Sequence, residues 1–167
     1  MRSLVIAFLF AFVSFTASSQ TKENQAAVTF NNKMIDMLKG LNDNGKTWVE
    51  AYTTIRDNTK NFAELEPERK NLQNYIDTNL KTLNAMKDVG GSESYRAAVI
   101  HFFEVEKKLV AETFVPFEKL KKTSSKEETD KLWNKLSVEA TKQEADCFSK
   151  IKDLQKEYAE RNDFVYQ

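Results

Sequence analysis

Apolar side chains recur along this chain at steps of three and four, the repeat that keeps them on one face of an α-helix. The first stripe runs through Ala27, Phe30, Met34, Met37, Leu41, Trp48, Tyr52 and Ile55. Its single seven-residue step spans Asn42-Asp43-Asn44-Gly45, a cluster that would ordinarily mark a turn. Seven residues are two helical turns, so the stripe resumes in phase at Trp48. That phase predicts one continuous first helix, about Lys22 to Lys60, weakened locally by poor helix formers at ~0.5–1 kcal/mol each.

Three further stripes follow, separated by the few strong breaks in the sequence. Glu64 to Glu68, with Pro67 at a first helical position, opens a second helix carrying Leu72, Ile76, Leu80, Leu83 and Met86. This helix is expected to reach about Val89 and stop at Gly90. The third opens near Ser92 or Ser94 and carries Tyr95, Ala98, Phe102, Val105, Leu109, Phe117 and Leu120. Pro116 is expected to kink or weaken its last turns, because proline removes a helical donor and crowds the preceding turn. The fourth starts at Ser125, three residues before Glu128 in a capping-box pattern. Its stripe is Trp133, Leu136, Ala140, Gln143, Cys147, Ile151, Leu154 and Tyr158.

No segment alternates with a period of two, and the connections are short. The predicted fold is therefore all-α: an antiparallel, up-down-up-down four-helix bundle with a long first helix. Glu-before-Lys pairs such as Glu104–Lys108, Glu118–Lys122 and Glu127–Lys131 suit the solvated faces of such helices.

Ahead of the first stripe the pattern changes. Arg2 is followed by an uncharged apolar run, Leu4 to Phe15, and then Ala17-Ser18-Ser19 before Gln20. This is the layout of a cleaved secretory signal peptide, and the apolar run is too short for a bilayer that needs ~20 residues. The expected organisation is a signal peptide at 1–19 and a single bundle domain at 20–167. The expected location is the periplasm or the cell surface. A lipoprotein is disfavoured because the only cysteine, Cys147, is far from the cleavage site. That lone thiol makes no intrachain disulfide, so it is either buried or paired between chains.

Charge changes the picture little. Lysine plus arginine number 25 and aspartate plus glutamate 25, and loss of Arg2 leaves them balanced to within one charge. No global field favours nucleic acid or anionic lipid.

The segment "SESYRAAVIHFFEVEKKLVAETFVPFEKL" and the tail "EYAERNDFVY" are similar to a family of exported Gram-negative bacterial helical surface proteins of unknown function. Members share a Tyr- or Leu-Arg-x-Ala segment, an aromatic-rich amphipathic run and a short apolar tail after the last helix. Pro116 departs from that pattern, in which the third helix is uninterrupted. The resemblance implies a helical, exported protein and supplies no catalytic residues.

Candidate chemistry is sparse. His101 is the single histidine, and residue 98 is alanine where a Glu-x-x-His di-metal motif needs glutamate. Zinc and covalent haem sites lack ligands, and the methionines lie on the core stripe. The acidic residues around Pro67 lack calcium-loop spacing and suit a helix start. No metal and no cofactor are expected.

Two surface features stand out. Lys119, Lys121, Lys122 and Lys126 gather near the end of the third helix, where they complement its dipole or contact an acidic partner. Phe103 lies about 100° round the helix from Phe102, and with Phe114 it belongs either to a wide buried face or to an exposed contact patch.

The expected function is a non-enzymatic binding or interaction module of the cell envelope, with a possible surface at Phe103, Phe114, Lys121 and Lys122. Its partner is a protein or envelope component, not nucleic acid, and no membrane span remains after cleavage. The alternative is a small-ligand or metal-binding bundle with its site between helices near His101. An enzyme using Glu104 or Glu106 with His101 is the third reading.

Overall fold

In a computed structural model of the protein, the described residues are 22–58 and 61–165. Residues 1–19, where the sequence leads one to expect a signal peptide, lie outside them. Four long helices pack side by side: α1 (Lys22–Asp57), α2 (Glu66–Ala85), α3 (Glu93–Leu109) and α5 (Lys126–Arg161). The third helix continues through a π-helical turn, Val110–Phe114, into a short α4 (Val115–Glu118). A 3₁₀ turn, Phe62–Leu65, leads into α2. Among the described residues no helix is long and apolar enough to cross a membrane.

The first helix runs unbroken through Asn42 to Gly45, as the phase of its stripe requires. Asn44 donates its side-chain amide to the Gly40 carbonyl at 2.8 Å, and Thr47 Oγ1 donates to the Asp43 carbonyl at 2.9 Å. Gly40 serves a close approach. A Cβ there would lie 2.0 Å from the Tyr75 hydroxyl, which crosses from α2 to donate to the Met37 carbonyl at 3.1 Å.

The second helix ends a turn earlier than the sequence suggests, at Ala85, with Met86 extended. Its end is set by the third helix. Arg96 donates to the Leu83 carbonyl at 3.2 Å and forms a two-pronged ion pair with Asp88, at 2.7 and 2.8 Å. Ser92 Oγ accepts from the Val89 amide at 3.0 Å, holding the link extended where a helix would otherwise continue. The chain then reverses at Gly90 and Gly91, whose φ values of 57° and 76° suit glycine. Arg161 and Asn162 clamp this turn from the far end of α5, donating to the Gly91 and Gly90 carbonyls at 2.8 and 2.9 Å.

Pro116 acts as a local adjustment and not as a stop. It sits at the start of α4 directly after the π turn, and the helix proceeds to Glu118. The wider π turn accommodates the missing proline donor and the crowding of its ring on the turn before it. Thr113 Oγ1, donating to the Leu109 carbonyl at 2.5 Å, bonds inside the same turn. The last helix opens with the full capping box: the Glu128 amide donates to Ser125 Oγ at 3.2 Å, and the Ser125 amide to Glu128 Oε2 at 2.8 Å.

Of the expected Glu-before-Lys pairs, Glu118 is committed elsewhere. Its carboxylate takes a two-pronged bond from Arg69 on α2, with Nη2 to Oε2 at 3.3 Å, and both side chains are largely buried. Gln73 accepts a further bond from Arg69 at 3.0 Å. Arg69→Ala strands the Glu118 carboxylate in a poorly solvated position. It should lower unfolding free energy by about 2–3 kcal/mol, measured by urea denaturation. Glu118→Gln in the same background should recover part of that loss.

Candidate functional site

The helices make their closest approaches in chain order, α1 on α2, α2 on α3 and α3 on α5, whereas α1 and α5 meet along a looser seam. Aromatic contacts close this seam at both ends. Near one end the Tyr52 and Trp133 rings stack with centroids 4.9 Å apart and planes 4° off parallel. Near the other, Phe30 and Tyr158 lie 5.8 Å apart, and Gln155 donates to Asn31 Oδ1 at 2.9 Å. The middle of the seam is not filled.

A cavity of ≈ 30 Å³ occupies that middle. Leu38, Leu41, Asn42, Gly45 and Val49 of α1 line one wall, and Leu136, Ala140, Glu144 and Phe148 of α5 the other. Phe102, Glu106 and Leu109 of α3, with Leu72 and Phe114, complete it. The volume suits about two water molecules, at ~10–15 Å³ of such space per water. Gly45, half-buried, leaves a notch in the wall, since a Cβ there would meet nothing within 4 Å. The Asn42–Gly45 stretch, puzzling as a turn that does not turn, therefore forms one side of a polar-tipped hollow.

Two carboxyl groups join the Asn42 amide in this otherwise apolar space. Glu106 is only 6% exposed and Glu144 9%. No lysine or arginine lines the cavity to offset them. Desolvation pushes the Glu106 carboxyl up to about 8, helped by the charge of Glu144, and burial pushes Glu144 up to about 7. The two titrate as an interacting pair. Glu106 Oε1 is buried without a hydrogen-bond partner, and so is Asn42 Oδ1 on the facing helix. Two buried acceptors of this kind in one hollow call for a donor or a cation.

The residues singled out from the sequence fall elsewhere. His101 is exposed on α3, as is Glu104, so the histidine is not gathered with the buried carboxyls. Phe103 is fully buried and Phe114 is 7% exposed. The wide buried face accounts for both rings, and neither belongs to a surface patch. Phe114 instead packs on Trp48 with centroids 4.1 Å apart and also lines the cavity. Lys121 and Lys122 are exposed, with Lys119 and Lys126 nearby in sequence. Cys147 is a buried free thiol, its pKa raised chiefly by desolvation. Glu64, Glu66 and Glu68 are engaged by Asn61, Lys70 and Asn71 respectively. Among the described residues, no three His, Cys, Asp or Glu side chains converge as a metal-binding group.

The pair that does converge was half legible. A three-residue step in the stripes selects Val105 and Gln143, whereas the buried positions are Glu106, four residues after Phe102, and Glu144, four after Ala140. Both steps fit a helix, and glutamate argued against the second choice in each case.

No protein-family model matches this chain, and neither a curated protein nor a solved structure matches it.

Proposed function

We propose that this chain is a non-enzymatic binding module, exported to the periplasm or cell surface, whose ligand site is the cavity between α1, α3 and α5. The observation that carries this reading is the convergence of the two buried glutamates and the unbonded Asn42 oxygen on one hollow. Burying two carboxyls without a basic partner costs stability, and a bound ligand that answers them returns it. The volume argues for binding over catalysis: raised carboxyl pKa values suit general acid–base work, but space for about two waters leaves no room for a substrate between acid and base. Export rests on the N-terminal pattern, which the resemblance to exported helical surface proteins also favours.

Native mass spectrometry of the protein isolated from the cells that make it tests the reading. A retained mass, inorganic or organic, should accompany the wild-type chain and be lost from Glu144→Gln. Identical bare masses for both proteins, together with turnover in a broad hydrolase screen, would replace binding by catalysis.

A further inference from the structure

We propose that the cavity is a site for a hard divalent cation, held by the carboxylate oxygens of Glu106 and Glu144 and the amide oxygen of Asn42, with water completing its shell. The inference rests on the reading of the cavity as a ligand site and names the ligand class.

Three observations point the same way. The polar side chains of the lining, two carboxyls and a side-chain amide, offer oxygen ligands suited to a hard ion once the carboxyls are ionised, with no sulfur or imidazole among them. Glu106 Oε1 on α3 and Asn42 Oδ1 on α1 are buried without a hydrogen-bond partner, so two oxygens of the lining go unanswered. The volume of ≈ 30 Å³ admits an ion with a water or two and excludes most organic ligands; an apolar cavity that takes benzene is ~150 Å³. Gly45, half-buried in the lining, leaves open space where a side chain would otherwise stand.

Binding requires both carboxyls ionised, so the cation displaces the protons they hold and releases them to solvent. The titratable groups lining the cavity are Glu106 from α3 and Glu144 from α5; α1 and α2 contribute none. Cys147 on α5 also senses both carboxylates, along with Asp146 and Lys150.

The test is calorimetric titration of the purified full chain with MnCl₂ alone, and then with CaCl₂ alone, in two buffers of different ionisation enthalpy. One ion per chain should bind, with proton release. Affinity should weaken roughly tenfold per pH unit for each proton released as pH falls below about 7. Glu144→Gln should weaken binding at least tenfold, and the exposed Glu104→Gln should leave it unchanged. Circular dichroism shows whether each variant is folded, and Asn42→Leu, which keeps both carboxyls, supplies a second probe of the same site.

If neither ion binds but the native protein carries an organic mass that Glu144→Gln loses, the cation inference is overturned and the ligand site stands. Binding that survives Glu144→Gln and Asn42→Leu unchanged overturns the placement. The absence of both ion binding and any retained mass overturns the inference and the site together.

Discussion

Glu106→Gln should free the protein of most of its loss of stability at mildly alkaline pH. In the metal-free wild-type chain the folded state holds protons on Glu106 and Glu144 that the unfolded chain releases near pH 4.5, the ordinary glutamate value. Because both folded-state pKa values are raised, this contribution is fully present below about pH 4.5 and is lost as pH rises through about 7 and 8. Asp57, Glu66 and Asp88 have lowered values, so they titrate below this window and leave it to the pair. Glutamine keeps the shape of the protonated carboxyl and removes the ionisation. At pH 8.5 the variant should exceed wild type by on the order of 2–4 kcal/mol, with near equality at pH 4.5. Urea denaturation at four pH values, in the presence of chelator, measures this. Parallel profiles for the two proteins would mean that the Glu106 carboxyl is not held protonated by its surroundings.

The largest single loss is expected from Trp48→Ala. Trp48 is fully buried, stacks on Tyr52 with centroids 5.8 Å apart and planes 4° off parallel, and meets Phe114 at 4.1 Å and Phe117 at 5.3 Å. It joins α1 to the π turn and to α4, which pass Pro116, and through Tyr52 it reaches Trp133 on α5. Removing the indole leaves a cavity where four elements meet, at a cost of about 3–5 kcal/mol. The midpoint of denaturant unfolding should fall accordingly. Trp48→Phe should recover much of that loss, because the ring's area and its stacking matter more than an indole N–H that finds no partner in the core. A loss below about 1 kcal/mol for the alanine variant would show that the aromatic cluster closes up around the gap.

The fold was legible because its signal is redundant. Each long helix repeats its apolar stripe over several turns, and the in-phase resumption at Trp48 carried α1 across a stretch that local propensity alone would have broken. Ser125 and Glu128 placed the start of α5 from two residues. The end of α2 was not legible, because it depends on Arg96 and Ser92, which come after the break and reach back to it. The π turn was visible only as the trouble Pro116 would cause.

The candidate site was harder to see for a physical reason. Histidine, cysteine and ligand spacing are the marks that metal and catalytic groups leave in a sequence, and the single histidine, His101, is exposed and away from the cavity. Glu106 and Glu144 are single glutamates on two helices, thirty-eight positions apart in the chain. Each has a neighbour, Val105 or Gln143, that fits the stripe with less conflict. Only the packing of α3 and α5 against each other and against α1 shows that the stripe chose the glutamate both times. Asn42 and Gly45 were conspicuous in the sequence as poor helix formers, but their use in shaping a wall is a tertiary fact.

The clamp on the Gly90-Gly91 turn sets a schedule for assembly. Tyr158 donates to the Val89 carbonyl at 3.0 Å, and Asn24 donates to the Asp163 carbonyl at 2.8 Å. The beginning of α1, the hinge between α2 and α3, and residues 158–163 are thus sewn together at one pole of the bundle. Ribosomal synthesis delivers the first two of these long before the third, so a nascent chain lacking its last helix lacks these bonds and keeps at that pole the contacts of Tyr95 with Phe30 and Asn31. Residues 158–163 are therefore the last thread drawn through that pole, and the pole is tied only when they arrive.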